Sequence, residues 1–405
     1  MEAAQTSADL LGAKAIADPY SFFGALREHD PVHWNADHRS WVITRYDDVA
    51  AGFLDRRLSS NRVDPVYDQK LSDAQRAARA PTYAVLSDWM VFKDPPDHTR
   101  LRNLVKLAFT PRAVRALAPR IEEIVDEVLD LPPRGTVDVV RDIAFPIPAM
   151  VIAEMLGVPV GDRHLFRAWS KAASTVIFEA ARDDADRRRA QEGLVALSEY
   201  LQDLVDRYRM RPADNLISAL VRARGEDGTL SEREIVNTCL LLLFGGHETT
   251  TNLIANSVLA LIRDPASRLE LLEDSSLVAE AVEELNRFDG PAKMVVRRAA
   301  EDLELRGRHI AAGDRVLLVT CTANRDPRRF HDADRLDLRR AENRHVAFGF
   351  GIHYCLGAPL ARLEVQTALP RVLARLTDPA IEADRLQWLP LLLTRALSSL
   401  PVRYG

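Results

Sequence analysis

One cysteine in this chain stands where a thiol can do chemistry. Cys355 lies in Phe348–Arg362, FGFGIHYCLGAPLAR, bracketed by Gly349, Gly351 and Gly357, and an apolar helical pattern begins at once after it. Glycine lets the backbone approach a flat ligand closely and take positive φ where a tight turn needs it. A cysteine at the start of a helix faces unsatisfied N–H groups and the positive end of the dipole, which favour thiolate over thiol. Such a thiolate can ligate haem iron or act as a nucleophile; a glycine-rich loop around an inert cysteine is the third possibility.

A second stretch combines features that a purely structural helix avoids. Ser231-Glu-Arg-Glu234 forms a capping box, and the helix it opens is predicted over about 232–263. Its middle reads LLLLFGGHETTTN. Gly245 and Gly246 in a helix cost about 1 kcal/mol each relative to alanine. The next turn sets Glu248, Thr249, Thr250 and Thr251 in apolar surroundings, where an unpaired carboxylate costs several kcal/mol or takes up a proton. Close backbone approach and a proton-carrying carboxyl–hydroxyl pair account for these residues together. His247-Glu248 also begins the zinc-protease helix motif, but position 251 is threonine where a second histidine is required, which excludes that site.

Other candidates are weaker alone. His98 and Arg102 are four apart and share a helix face, either as an anion site or as solvated surface. Glu284 and Arg287 are spaced to pair on another helix. Trp89-Met-Val-Phe92 is an apolar cluster just ahead of Pro95-Pro96, suited to core or to a pocket wall.

The elements that must position these residues fit one large, helix-rich domain. The 405 residues are 47% hydrophobic and 28% charged, enough to bury a sizeable core in a soluble protein. A net charge of -5 implies no bulk attraction to nucleic acid. Cys239, Cys321 and Cys355 are odd in number and far apart, which argues against a disulfide framework and fits a reducing cytoplasm. No signal peptide pattern opens the chain, and the longest apolar run, Cys239–Phe244, falls far short of the ~20 residues that span a bilayer. Helices are predicted over Ser21–His29, His98–Phe109, about 147–224 and Leu360–Leu376, and strands near 41–46, 137–143, 295–320 and 391–402. Residues 56–97 carry no sustained period and read as a long loop of the lid or binding kind. Residues 324–347 form an irregular basic connector into the cysteine loop. With no repeat or convincing linker, a single domain over 1–405 is expected.

Taken together, these stretches resemble the cytochrome P-450 family of haem-thiolate monooxygenases in its soluble bacterial form. The resemblance covers nearly the whole chain. The cysteine loop has every fixed position of the family's F-G-x-G-x-H-x-C-L-G, the long helix has its G-G-H-E-T-T variant, and Glu284 to Arg287 matches its E-x-x-R. Asp94-Pro-Pro-Asp-His-Thr-Arg-Leu-Arg102 is similar to the bacterial helix that holds the haem propionates. The fold implied is mainly α with small β-sheets, with haem b between the long central helix and the cysteine-loop helix.

The resemblance also implies roles. Cys355 would be the proximal thiolate; His98, Arg102, Arg297 and His353 would bind the propionates; Gly245 and Gly246 would let the long helix pass close to the haem. Phe348, Gly349, Gly351 and Gly357 would shape the ligand loop. Glu248 and Thr249 match the acid–alcohol pair that relays protons to bound dioxygen, and Glu284 with Arg287 would take Arg335 of the connector as third partner. By analogy the substrate pocket would draw on Trp89, Val91, Phe92, Val176, Phe178, Leu242, Ala292, Met294, Val295 and Leu392, mostly apolar, so a mainly hydrophobic small molecule is expected. The chain has no flavin or NAD(P)H segment and no cysteine cluster, so NAD(P)H would act only through a separate ferredoxin and its reductase. Arg339, Arg340, Arg344 and Arg362 are candidates for a docking face toward an acidic ferredoxin. A cytoplasmic monomer with no membrane or nucleic-acid partner is expected. Peroxide-driven turnover and a non-catalytic haem sensor or carrier are the rival functions.

Overall fold

The computed structural model describes residues 9–64, 72–177, 184–226, 228–382 and 386–405. The chain sorts into two compact units, each assembled from three separated stretches of sequence. Among the described residues no helix is long and apolar enough to cross a membrane.

The first unit comprises Met1–Ser60, Ala255–Cys355 and Ala380–Pro401. Its centre is a five-stranded sheet, in the spatial order Val32–Asn35, Ser40–Ile43, Arg315–Leu318, Val295–Ala299 and Leu58–Ser59. Arg315–Leu318 runs parallel to Ser40–Ile43 and antiparallel to Val295–Ala299, with Val316 opposite both Trp41 and Arg297. Successive side chains of a strand point to opposite faces. Val42, Val296 and Leu317 accordingly pack in one apolar cluster with Leu10 and Phe23, while Ile43, Leu318 and Val316 pack in another with Val49 and Phe53. The sheet is therefore covered on both faces, where the alternation around Trp41 predicts a half-buried strand. The helix after it starts at Tyr46, not beyond it.

The Val278–Asp289 helix carries a buried ion-pair centre. Arg287 holds the Glu284 carboxylate through two bonds, Nε to Oε2 at 2.7 Å and Nη2 to Oε1 at 2.8 Å, with both side chains at 0% exposure. Arg340 Nε donates to both Glu284 oxygens at 3.1 Å, Asn343 Nδ2 donates at 3.2 Å, and the Asp337 N–H donates at 3.0 Å. The third cationic partner is thus Arg340, in place of the expected Arg335. Arg335 follows a turn at Asp332 (φ 47°), and its side chain, 63% exposed, pairs with Asp332 and Asp337. Only its backbone carbonyl joins the centre, accepting from Arg287 and Arg340. Arg340 is for the same reason withdrawn from the docking face, and Arg339 is occupied by Glu270 and Asp274.

The second unit comprises Asn61–Ile254, Leu356–Pro379 and Val402–Gly405 and is mainly helical. Part of the expected loop over 56–97 is the helix Asp73–Leu86, opened by a reciprocal capping box between Ser72 and Gln75. Only Val85 of that helix is buried, and Pro81 stands inside it, where a proline ordinarily marks a helix boundary in sequence. The stretch 137–143 is a strand only to Asp138; Val139–Ala144 is a π-helical turn whose first N–H groups are capped by the Asp138 carboxylate. The helices Phe166–Ile177 and Asp184–Met210 cross closely, since a Cβ on Gly193 would lie 2.6 Å from that of Ala172.

Removing Glu284 leaves two buried guanidinium groups uncompensated. Glu284→Ala is expected to lower stability by about 3–5 kcal/mol and Arg335→Ala by no more than about 0.5 kcal/mol, read by denaturant or thermal unfolding. A large loss in the Arg335 variant would contradict the assignment of Arg340.

Candidate active site

The cysteine turn belongs to the first unit and is closed by the backbone. The Cys355 N–H donates to the Phe348 carbonyl at 2.9 Å, and the Tyr354 N–H donates to the Gly351 carbonyl at 3.1 Å. Gly349 (φ 73°) and Gly351 (φ 71°) take the left-handed conformations that this loop demands, and a Cβ on Gly351 would sit 2.9 Å from Leu54 Cδ2. The Phe348 ring lies among His345 and Tyr354, 6.0 and 6.3 Å between centroids. The result is an exposed Cys355, whereas Cys239 and Cys321 are buried. Burial pushes the Cys239 thiol up to about 12 and the Cys321 thiol up to about 11. Both stay protonated at neutral pH, which leaves Cys355 as the thiolate candidate. Gly357 is the N-cap of the next helix, Ala358–Arg375.

The expected helix is present as Glu232–Arg263, with its reciprocal cap: the Ser231 N–H donates to Glu234 Oε2 at 2.8 Å and the Glu234 N–H to Ser231 Oγ at 3.3 Å. Its middle turns lie in the second unit. Phe244, His247, Thr250 and Thr251 are buried, while Gly245 and Thr249, four apart, are exposed. A Cβ on Gly245 would meet nothing within 4 Å, whereas one on Gly246 would sit 3.1 Å from Ile152 Cδ1. One stripe of this apolar helix is therefore open. The Thr249 hydroxyl donates to the Gly245 carbonyl at 3.1 Å and keeps its oxygen lone pairs as acceptors.

Beside it, Glu248 is half-buried and its Oε2 accepts from Ser174 Oγ at 3.3 Å. Burial raises the Glu248 carboxyl above the ordinary carboxylate value, and the Ser174 hydrogen bond opposes that rise. His247 is held the other way: burial lowers its imidazole to about 4, so it is neutral at physiological pH. Its Nδ1 faces the Leu243 carbonyl at 2.6 Å and must carry the proton, which leaves Nε2 as the lone-pair nitrogen.

The other expected residues divide between the units. His98, buried, and Arg102, half-buried, share the Asp97–Ala108 helix of the second unit. In the first, Arg297 is buried with its guanidinium over the Phe53 ring, and His353 Nε2 lies 3.0 Å from Ser60 Oγ. Trp89 and Phe92 are buried and stacked, and Trp89 also stacks on Phe244. Val91 is exposed, and Leu242 and Ala292 are half-buried. Met294 is buried and packs with Val296 in the cluster around Phe23. Val295 and Leu392 are partly buried and pack on the two clusters of the sheet. Val176 is in the Phe166–Ile177 helix, and Phe178 lies outside the described residues. Two polar partners, Ser174 for Glu248 and Arg340 for Glu284, are missed by the sequence, because each lies far along the chain from the group it serves.

The family model described as Cytochrome P450 matches residues 176–377. Vitamin D(3) 25-hydroxylase of Pseudonocardia autotrophica is 43% identical over 404 residues, covering 98% of this chain and 96% of that protein. The chain belongs to the cytochrome P450 family. Cytochrome P450 monooxygenase PikC of Streptomyces venezuelae is 40% identical, over 97% of this chain and 93% of its own. Among solved structures, the Bacillus subtilis cytochrome P450 PksS of the bacillaene polyketide synthase superposes with a TM-score of 0.87 at 36% identity, over 98% and 99% of the two chains. The protein is thus a haem-thiolate monooxygenase.

The residues present fit haem. The donor set supplies one exposed thiol beside a backbone-closed turn, and the long helix leaves a stripe without side chains at Gly245. Filling that stripe separates stability from function. Gly245→Ala is expected to stabilise the helix by up to about 1 kcal/mol in thermal unfolding while changing the P450 absorption spectrum; Gly246→Ala meets Ile152 and is expected to gain less or lose stability. Equal effects of the two substitutions on both readouts would contradict the open stripe.

Proposed function

We propose that Cys355 would hold the haem iron as its thiolate ligand and that Glu248 and Thr249 would deliver protons to the bound dioxygen. Bound there, haem supplies dioxygen binding and activation, with the thiolate favouring O–O cleavage. The loop residues Phe348, Gly349, Gly351 and Gly357 hold the thiol in place, and His98, Arg102, Arg297 and His353 bind the two propionates. Gly245 would keep the long helix free of a side chain toward the haem, and Gly246 lets the helix pack closely on Ile152. The observation that carries the proton role is the pairing of an exposed hydroxyl, Thr249, with an adjacent carboxyl that burial keeps protonated to higher pH. A protonated carboxyl donates, and a hydroxyl both accepts and donates, so the two residues supply the groups that a proton relay needs.

The substrate is a mainly hydrophobic small molecule that receives one oxygen atom, by hydroxylation, dealkylation or epoxidation. Trp89, Phe92, Leu242 and Ala292 support this choice by their apolar character, and the vitamin D(3) activity in the name of one relative agrees with it. Electrons reach the P450 from NAD(P)H through a ferredoxin and its reductase, since three scattered cysteines are too few for an iron–sulfur cluster held by four. Both units act as one catalytic domain in a cytoplasmic, monomeric enzyme.

The relay is tested by coupling. Thr249→Ala is expected to lower product formed per NAD(P)H by about tenfold, with peroxide released instead, and to leave the resting spectrum in place. Unchanged coupling would exclude Thr249 from the proton path. Substrate class is tested by screening compounds for spin-state shifts of the Soret band; a response confined to polar, charged molecules would exclude a hydrophobic substrate.

A further inference from the structure

We propose that Ser174 is the positioning residue for the Glu248 carboxyl, fixing one of its oxygens so that the other faces the proton path. The proposal rests on the relay role proposed for Glu248 and Thr249.

Ser174 Oγ to Glu248 Oε2, 3.3 Å, is the one hydrogen bond made by the Glu248 carboxyl among the described residues. The bond joins positions 74 residues apart, from two different helices. Ser174 follows Ala173, which is 2% exposed, and Ala172, two residues before it, packs against Gly193, where no side chain would fit. His247 Nε2 approaches the same Oε2 at 3.8 Å, and with its proton on Nδ1 that nitrogen presents a lone pair. Oε2 is therefore flanked by a hydroxyl and an imidazole, and among the described residues no hydrogen bond is made by Oε1.

Among the described residues, the charged groups on the elements around Glu248 can be named. On its own helix His247 is neutral. The helix that supplies Ile152 beside Gly246 has one charged residue, Glu154, which is paired with Arg120 at 2.6 Å. The charged residues of the helix bearing Ser174 are Arg167 and Lys171. As the carboxyl's hydrogen-bond donor among the described residues, the Ser174 hydroxyl bears both on where the carboxyl points and on how readily it ionises. A hydrogen bond to an ionised carboxylate favours that form, so losing the bond raises the carboxyl's pKa.

The test uses the haem-loaded enzyme with its electron-transfer proteins and a substrate, over a range of pH. Ser174→Ala is expected to lower product per NAD(P)H by about threefold and to move the Glu248 inflection of the pH profile upward by about half a unit to one unit. Ser174→Thr, which keeps the hydroxyl, is expected to restore both. In a Glu248→Gln background, Ser174→Ala is expected to change nothing further. An unchanged profile in Ser174→Ala, alongside uncoupling by Glu248→Gln, overturns the positioning role alone. An equal loss from Ser174→Ala in both backgrounds overturns it as well, since the serine then acts without the carboxyl. If Glu248→Gln itself leaves coupling intact, the relay assignment falls first. Retention of the substrate-free Soret spectrum in each variant separates these outcomes from misfolding.

Discussion

A sulfur that is to bind a metal must be neither buried nor free to wander, and the backbone of one short turn meets both demands. The hydrogen bond from the Cys355 N–H to the Phe348 carbonyl closes the loop, and the left-handed glycines at 349 and 351 let it close without collision. The two other cysteines show the alternative outcome: enclosed in apolar surroundings, Cys239 and Cys321 are driven toward the protonated, inert thiol. The difference among three identical side chains lies wholly in exposure and backbone geometry.

Two acids make the same point for charge. Glu284 is entirely enclosed, yet Arg287, Arg340, Asn343 and the Asp337 N–H fill its lone pairs, so it serves as a fixed anion around which the basic connector folds. Glu248 is half-buried and among the described residues accepts one hydrogen bond, from Ser174, and desolvation favours its neutral, proton-carrying form. A buried carboxylate with a full set of donors fixes structure, and a carboxyl with almost none is available for proton transfer.

Much of this was legible in the sequence because it is local. The long helix announces itself by the Ser231–Glu234 cap and by Asp264-Pro265 beyond its end, and the structure places it at Glu232–Arg263. The glycine spacing of the cysteine loop is likewise a local pattern. What stayed hidden is either unpatterned or distant. Asp73–Leu86 buries a single residue and carries Pro81 inside it, which in sequence reads as a break. Arg340 and Arg335 are both arginines of an irregular connector, and only the turn at Asp332 decides which of them reaches Glu284. Met294 sits in an extended segment whose two faces both meet apolar cores, so its side cannot be inferred from hydrophobicity. Ser174 meets Glu248 through the crossing of helices far apart in sequence, and no spacing rule carries that information.

The central claim is that Cys355 binds haem iron as a thiolate. The most direct measurement is the absorption spectrum of the purified, haem-loaded protein after reduction and exposure to carbon monoxide, beside that of Cys355→Ser. The strongly red-shifted Soret band of a thiolate-ligated haem is expected from the parent protein and absent from the variant. A histidine-type band from the folded parent, or a red-shifted band that survives the loss of Cys355, would contradict the account.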